Sequence, residues 1–94
     1  MECTEIILTG HALARMFARA ISPRQVREVV AAGEIIAEYP DDQPHPSRLL
    51  LGTVGGRALH VVAARDDATG RCYVITVYEP DPAKWEPGFK RRKR

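Results

Sequence analysis

The feature that most constrains how this chain folds is the pair Gly55-Gly56, set between two extended runs at residues 48–54 and 57–64. Adjacent glycines permit the positive φ of a tight primed turn, and a turn that short joins antiparallel neighbours. The second half of the chain is therefore an antiparallel sheet. A turn at Asp66-Asp67-Ala68-Thr69-Gly70 leads into a further strand at residues 71–78, which Pro80 and Pro82 end. Upstream, Glu34-Ile35-Ile36-Ala37-Glu38-Tyr39 has extended character and stops at Pro40. Residues 40–47 contain three prolines, which cannot donate ladder hydrogen bonds, so they form an exposed loop.

Before Gly33 the period is helical. Leu13, Met16, Phe17 and Ala20 fall at i, i+3, i+4 and i+7, which predicts a buried helix face, with His11, Arg15 and Arg19 four apart on the other side. Thr9 offers a side-chain oxygen at the helix start. Glu5-Ile6-Ile7-Leu8 reads as a short N-terminal strand or an extended lead-in. Ser22-Pro23-Arg24-Gln25 matches a capping box with proline at the first helical position, and Ile21 is placed to staple onto Val26. The second helix then buries Val26, Val29 and Val30, pairs Arg24 with Glu28 outside, and takes Gly33 as a left-handed stop.

The expected fold class is α+β, with two N-terminal helices packed on a four-stranded antiparallel sheet. Strand parity assigns the faces: Tyr73, Ile75 and Val77 oppose Cys72, Val74, Thr76 and Tyr78, while Leu59, Val61 and Ala63 oppose a set containing His60. Helices on the apolar set leave a concave face on which His60, Thr76 and Tyr78 gather.

At 94 residues the chain is expected to be one domain, residues 1–94, and 45% hydrophobic with 28% charged residues excludes wholesale disorder. No apolar run approaches the roughly 20 residues of a membrane span, and the N-terminus lacks signal-peptide character, so a cytoplasmic location is expected. Cys3 and Cys72 form no CxxC motif and read as two separate, reduced thiols. His11, His45 and His60 lack ligand spacing, which argues against a metal site. Residues 84–94 hold six basic residues and one acid, whereas residues 1–83 are net acidic at −3. A basic tail on an acidic body suits contact with phosphates or with an acidic partner, or is a solvated end that aids solubility.

The runs L-T-G-H-A-L-A-R-M-F-A-R-A-I-S-P-R-Q-V, A-G-E-I-I-A-E-Y, L-H-V-V-A and V-I-T-V-Y-E-P-D-P-A-K-W occur in that order. Together they resemble the bacterial family known as domain of unknown function 4258, over roughly residues 8–91. That family is similar in architecture to the RelE/ParE-like toxins of type II toxin–antitoxin systems, many of which cut messenger RNA without a metal. The resemblance implies a toxin that acts as a metal-independent mRNA endoribonuclease, with no cofactor. It also implies a cognate antitoxin, because members of the family are often encoded beside a small protein with a CxxC zinc-finger module.

Metal-independent cleavage needs a base for the ribose 2′-OH, an acid for the leaving oxygen and cations for the phosphorane. His11 and Arg15 match the family's H-A-x-x-R block, and His60 and Tyr78 come from the sheet, so these four are the candidate catalytic residues. Arg19, Lys90, Arg91 and Arg92 are candidate contacts to RNA or to ribosome-bound mRNA. Each has a plainer reading. His11 caps or solvates its helix, Arg15 and Arg19 form a solvated face, and His60 is a half-buried strand residue with a backbone partner. Tyr78 and Trp85 anchor the tail, folding the segment after Pro82 back across the sheet. The alternative function is a non-catalytic protein- or nucleic-acid-binding module of the same fold. Edge strands are able to pair into a homodimer or take up a partner segment.

Overall fold

The computed structural model describes all 94 residues. The elements are β1 (Glu5–Leu8), α1 (Gly10–Ala18), α2 (Pro23–Ala32), β2 (Glu34–Tyr39), β3 (Ser47–Val54), β4 (Arg57–Arg65) and β5 (Arg71–Tyr78). They form one five-stranded sheet in the order β1-β5-β4-β3-β2, with α1 packed against β5 and α2 against β3 and β4. The class is α+β as expected, but the sheet is mixed and has five strands. The fifth is β1, which runs parallel to β5 with Glu5 beside Arg71 and Leu8 beside Val74. Periodicity sees neighbours along the chain, and this pairing joins its two ends. No helix is long and apolar enough to cross a membrane.

The hairpin is as read. Gly55 and Gly56 take φ of 57° and 77°, and β3 pairs antiparallel with β4 from Ser47–Ala64 to Val54–Arg57. α2 starts on its capping box: Ser22 Oγ accepts from the Gln25 amide at 3.1 Å, and Gln25 Oε1 accepts from the Ser22 amide at 3.0 Å. Val26, Val29 and Val30 are buried, and Ile21 joins them in the same cluster. Arg24 and Glu28 approach to 3.6 Å on the solvent side. Gly33 ends the helix without a left-handed turn, since its φ is −68°. A Cβ there would collide with the Val29 carbonyl oxygen and meet that of Leu51 at 2.9 Å, so glycine is required for close approach rather than for handedness.

α1 departs further from its pattern. Thr9 caps it, accepting from the Ala12 amide at 3.2 Å while its hydroxyl donates to the Val74 carbonyl at 2.7 Å. That pair of bonds sets the rotation of the helix, and it is Ala12 and Met16 that enter the core. Phe17, expected inside, is 92% exposed, and Leu13 is 46% exposed. Ala20 lies beyond the helix with φ 53° and turns the chain toward α2. Leaving Phe17 in water forgoes about 1.5–3 kcal/mol of burial.

The helix-side core is a continuous aliphatic cluster that includes Leu50, Leu59, Val61, Ala63, Val74 and Val77. In β5 this corrects the parity reading. Val62 pairs with Thr76 and Ala63 with Val74, so Ile75 is an extra residue, a bulge that flips the alternation before it. Val77 faces the helices as expected, but Val74 and Cys72 do so in place of Ile75 and Tyr73. A second irregularity lies in β2, between Ile35 and Ala37.

The cysteines are also corrected. Cys3 and Cys72 are joined as a disulfide across 69 residues, with their Cα atoms 5.6 Å apart. They are not separate thiols because the parallel β1–β5 pairing carries the N-terminus to the start of β5.

Candidate functional site under the C-terminal tail

His60 alternates along β4 with Leu59 and Val61, both in the helix-side cluster, so its side chain points to the opposite face of the sheet. There it pairs across strands with Tyr78. The gathering of these two residues on one face is as the sequence predicts.

That face is not open at His60. After Pro80 the chain turns at Asp81, whose carbonyl accepts from the amides of Lys84 and Trp85. It then folds into a short ribbon: Trp85 bridges Arg92, the Glu86 amide donates to the Arg91 carbonyl at 2.8 Å, and the Lys93 amide donates to the Lys84 carbonyl at 2.8 Å. The ribbon reverses at Gly88 and Phe89, with φ of 90° and 60°. Trp85 meets the His60 ring edge-on at a centroid distance of 4.5 Å, and Tyr78 does so at 5.2 Å. Lys90 pairs with Glu34 of β2 at 3.1 Å, and Arg92 lies 5.8 Å from the centre of the Trp85 ring. The expected return of the segment across the sheet is thus observed.

His60 is fully buried by this cover. Its Nε2 lies 2.8 Å from the Phe89 carbonyl oxygen and its Nδ1 lies 3.2 Å from the Tyr78 hydroxyl. A carbonyl only accepts, so Nε2–H donates to Phe89 and Nδ1 accepts from Tyr78 in a neutral ring. Burial pushes the His60 pKa below its ordinary value, and the Phe89 bond opposes that only in part. Burial likewise raises the Tyr78 phenol, with Tyr39 adding and Arg92 subtracting, so the hydroxyl keeps its proton at neutral pH. The pair is a neutral imidazole whose Nδ1 lone pair is engaged by a hydroxyl donor.

The other expected site residues are elsewhere. His11, Arg15 and Arg19 are exposed on α1, and their side chains make no hydrogen bond, ion pair or ring contact with His60 or Tyr78. α1 is anchored by Ala12 and Met16 on the helix side of the sheet, whereas His60 faces away from it. The four catalytic candidates are therefore split into two groups by the sheet itself. Of the tail cations, Lys90 and Arg92 have partners within the chain, while Arg91 lines a cationic hollow with Arg92, Lys93, Arg94 and Glu86.

Two contributors escape sequence reading. Phe89 acts through a backbone carbonyl, which no residue type signals. Arg57, first residue of β4, donates to the carbonyls of Arg19 at 2.9 Å and Ala20 at 3.0 Å, and pairs with Glu79 at 2.7 Å. It ties the end of α1 to the end of β5, supplying a cation at a helix C-terminus that has no glycine cap. No three His, Cys, Asp or Glu side chains converge as a metal-binding group.

No curated protein and no solved structure matches the chain. A family model does, over residues 8–79, which run from the last residue of β1 to the residue after β5 and take in both helices and strands β2 to β5. The H-A-x-x-R block on α1, the His60 strand and Tyr78 all lie inside that match, while the covering tail lies outside it. On this match the chain belongs to the family described as domain of unknown function DUF4258.

Proposed function

We propose that the chain is the toxin of a type II toxin–antitoxin pair, RelE/ParE-like in fold, and that it acts on messenger RNA as a metal-independent endoribonuclease. The observation that carries this reading is the His60–Tyr78 pair beside a cationic tail. A neutral imidazole with an accepting Nδ1 suits removal of the ribose 2′-OH proton, and a phenol held protonated suits donation to the departing 5′ oxygen. The 2′ oxygen then bonds to phosphorus as the 5′ oxygen leaves with its proton. Balancing the charge of the phosphorane is the role assigned to the tail cations Arg91 and Arg92, which take it up once the lifted tail closes on the bound RNA. The tail has to lift from the sheet for RNA to reach His60. The α1 cations are not needed in this arrangement, since they sit on the other side of the sheet.

A second reading has its own observation. His60 is wholly buried with both ring nitrogens engaged, as expected of a histidine that anchors a tail in a non-catalytic binding module.

The test is induced expression in bacteria, following growth and total RNA, for the parent chain and for His60→Gln, Tyr78→Phe and Arg91→Ala. Growth arrest with fragmented transcripts in the parent, lost in His60→Gln at equal soluble yield, supports the nuclease. Normal growth with intact RNA at good expression sinks it and leaves the binding module.

A further inference from the structure

Two of the four large apolar side chains that the molecule leaves exposed, Leu13 and Phe17, sit one turn apart on α1. Phe17 is 92% exposed, against a helix whose buried side needs only Ala12 and Met16. The same helix shows His11, Arg15 and Arg19 to solvent, contains no Asp or Glu, and gives none of those three side chains a partner. α2 is the contrast, with Arg24 paired to Glu28 and no large apolar residue outside. Small exposed residues, Ala14 and Ala18, separate the apolar row from the cationic row and let a second backbone come close.

From this we infer that the outer face of α1 is a docking surface for an acidic, amphipathic segment of another protein, whose apolar side chains seat on Leu13 and Phe17 while its carboxylates meet Arg15 and Arg19. The charge selects the occupant. A second copy of α1 would set one unpaired cation row against another, which repels. A nucleic acid would use rings on which successive bases stack, and α1 offers one ring beside an aliphatic residue. An acidic segment satisfies both rows at once. The inference is independent of RNA cleavage, since it uses none of the residues around His60.

The experiment is selection of a displayed random-peptide library on the full-length chain, with counter-selection on Phe17→Ser, followed by fluorescence anisotropy on the synthetic winner. Phe17 already lies in water, so the serine variant folds as the parent does, which circular dichroism checks. Expected are winners rich in Asp and Glu with two apolar residues three or four apart, bound roughly 30-fold more weakly by Phe17→Ser. Arg15→Glu weakens binding as well, and added salt reduces the difference. The inference is overturned by a failure to enrich anything over Phe17→Ser, or by winners with no acidic excess. Phe17-dependent binding of oligouridine, or a Phe17-dependent dimer in sedimentation, overturns it equally.

Discussion

The two faces of the sheet are covered in different ways. On one side α1 and α2 bury a continuous aliphatic cluster running from Val26 through Leu50 and Val61 to Val77. On the other a ribbon of tail lies over a single imidazole, held by one hydrogen bond to a backbone carbonyl, ring edges and the Lys90–Glu34 pair. Aliphatic burial is non-directional and spread over many contacts, so it yields only with the whole fold. A cover made of a few polar contacts opens locally at much lower cost. The difference teaches that the helix face holds the fold together, while the tail over His60 is a cover that opens locally without unfolding the rest.

Leu50→Ala attacks the helix face, and should lower stability by about 2–5 kcal/mol in urea denaturation, because a fully buried side chain leaves a cavity. If that loss matched the loss from the tail side, the contrast would fail. His60→Ala attacks the tail face and strands the Phe89 carbonyl and the Tyr78 hydroxyl, at about 1–3 kcal/mol. Limited proteolysis should then cut within residues 84–94 far faster than in the parent, with the rest of the chain resistant.

The third test uses acid. The His60 pKa is lowered in the folded state, so the unfolded chain takes up the proton first as pH falls. Stability from the neutral ring is complete above the ordinary histidine value of 6.5 and is lost progressively as pH falls below it toward the folded value. Tail cleavage by protease should accelerate over that window, and His60→Gln should remove the acceleration. A flat profile in the parent would mean that the ring is not held neutral. The smallest effect belongs to Lys90→Ala, whose exposed pair with Glu34 is worth less than about 1 kcal/mol, measured by thermal melting.

What the sequence makes legible is local. The capping box sets α2 to the residue, and two glycines set the hairpin and its register. Parity along β4 and the end of β5 brings His60 to Tyr78. What is not legible is decided between distant parts. An extra residue at Ile75 leaves no mark in an apolar run, yet it exchanges the faces of everything before it in β5. The rotation of α1 follows from Thr9 bonding to Val74, so counting apolar residues within the helix puts Phe17 on the wrong side. β1 and the cysteine pair depend on a contact between segments more than 60 residues apart in the chain. His11 and Arg15 enter the candidate set through the H-A-x-x-R block alone, and a block along the chain does not report the distance across the sheet from α1 to His60.

The bond between Cys3 and Cys72 makes residues 3–72 a closed ring, with β5 after Cys72 and the whole tail hanging outside it. A protease that cuts the proline-rich loop at residues 40–46 therefore opens the ring without dividing the molecule, and the two pieces separate only when a reductant is added. A cut after Tyr78 sheds the tail at once, whatever the thiol chemistry of the surroundings. Gel migration with and without reductant thus sorts damage to the ring from loss of its appendage, and the basic end of the chain is the part the protein can lose while remaining one covalent body.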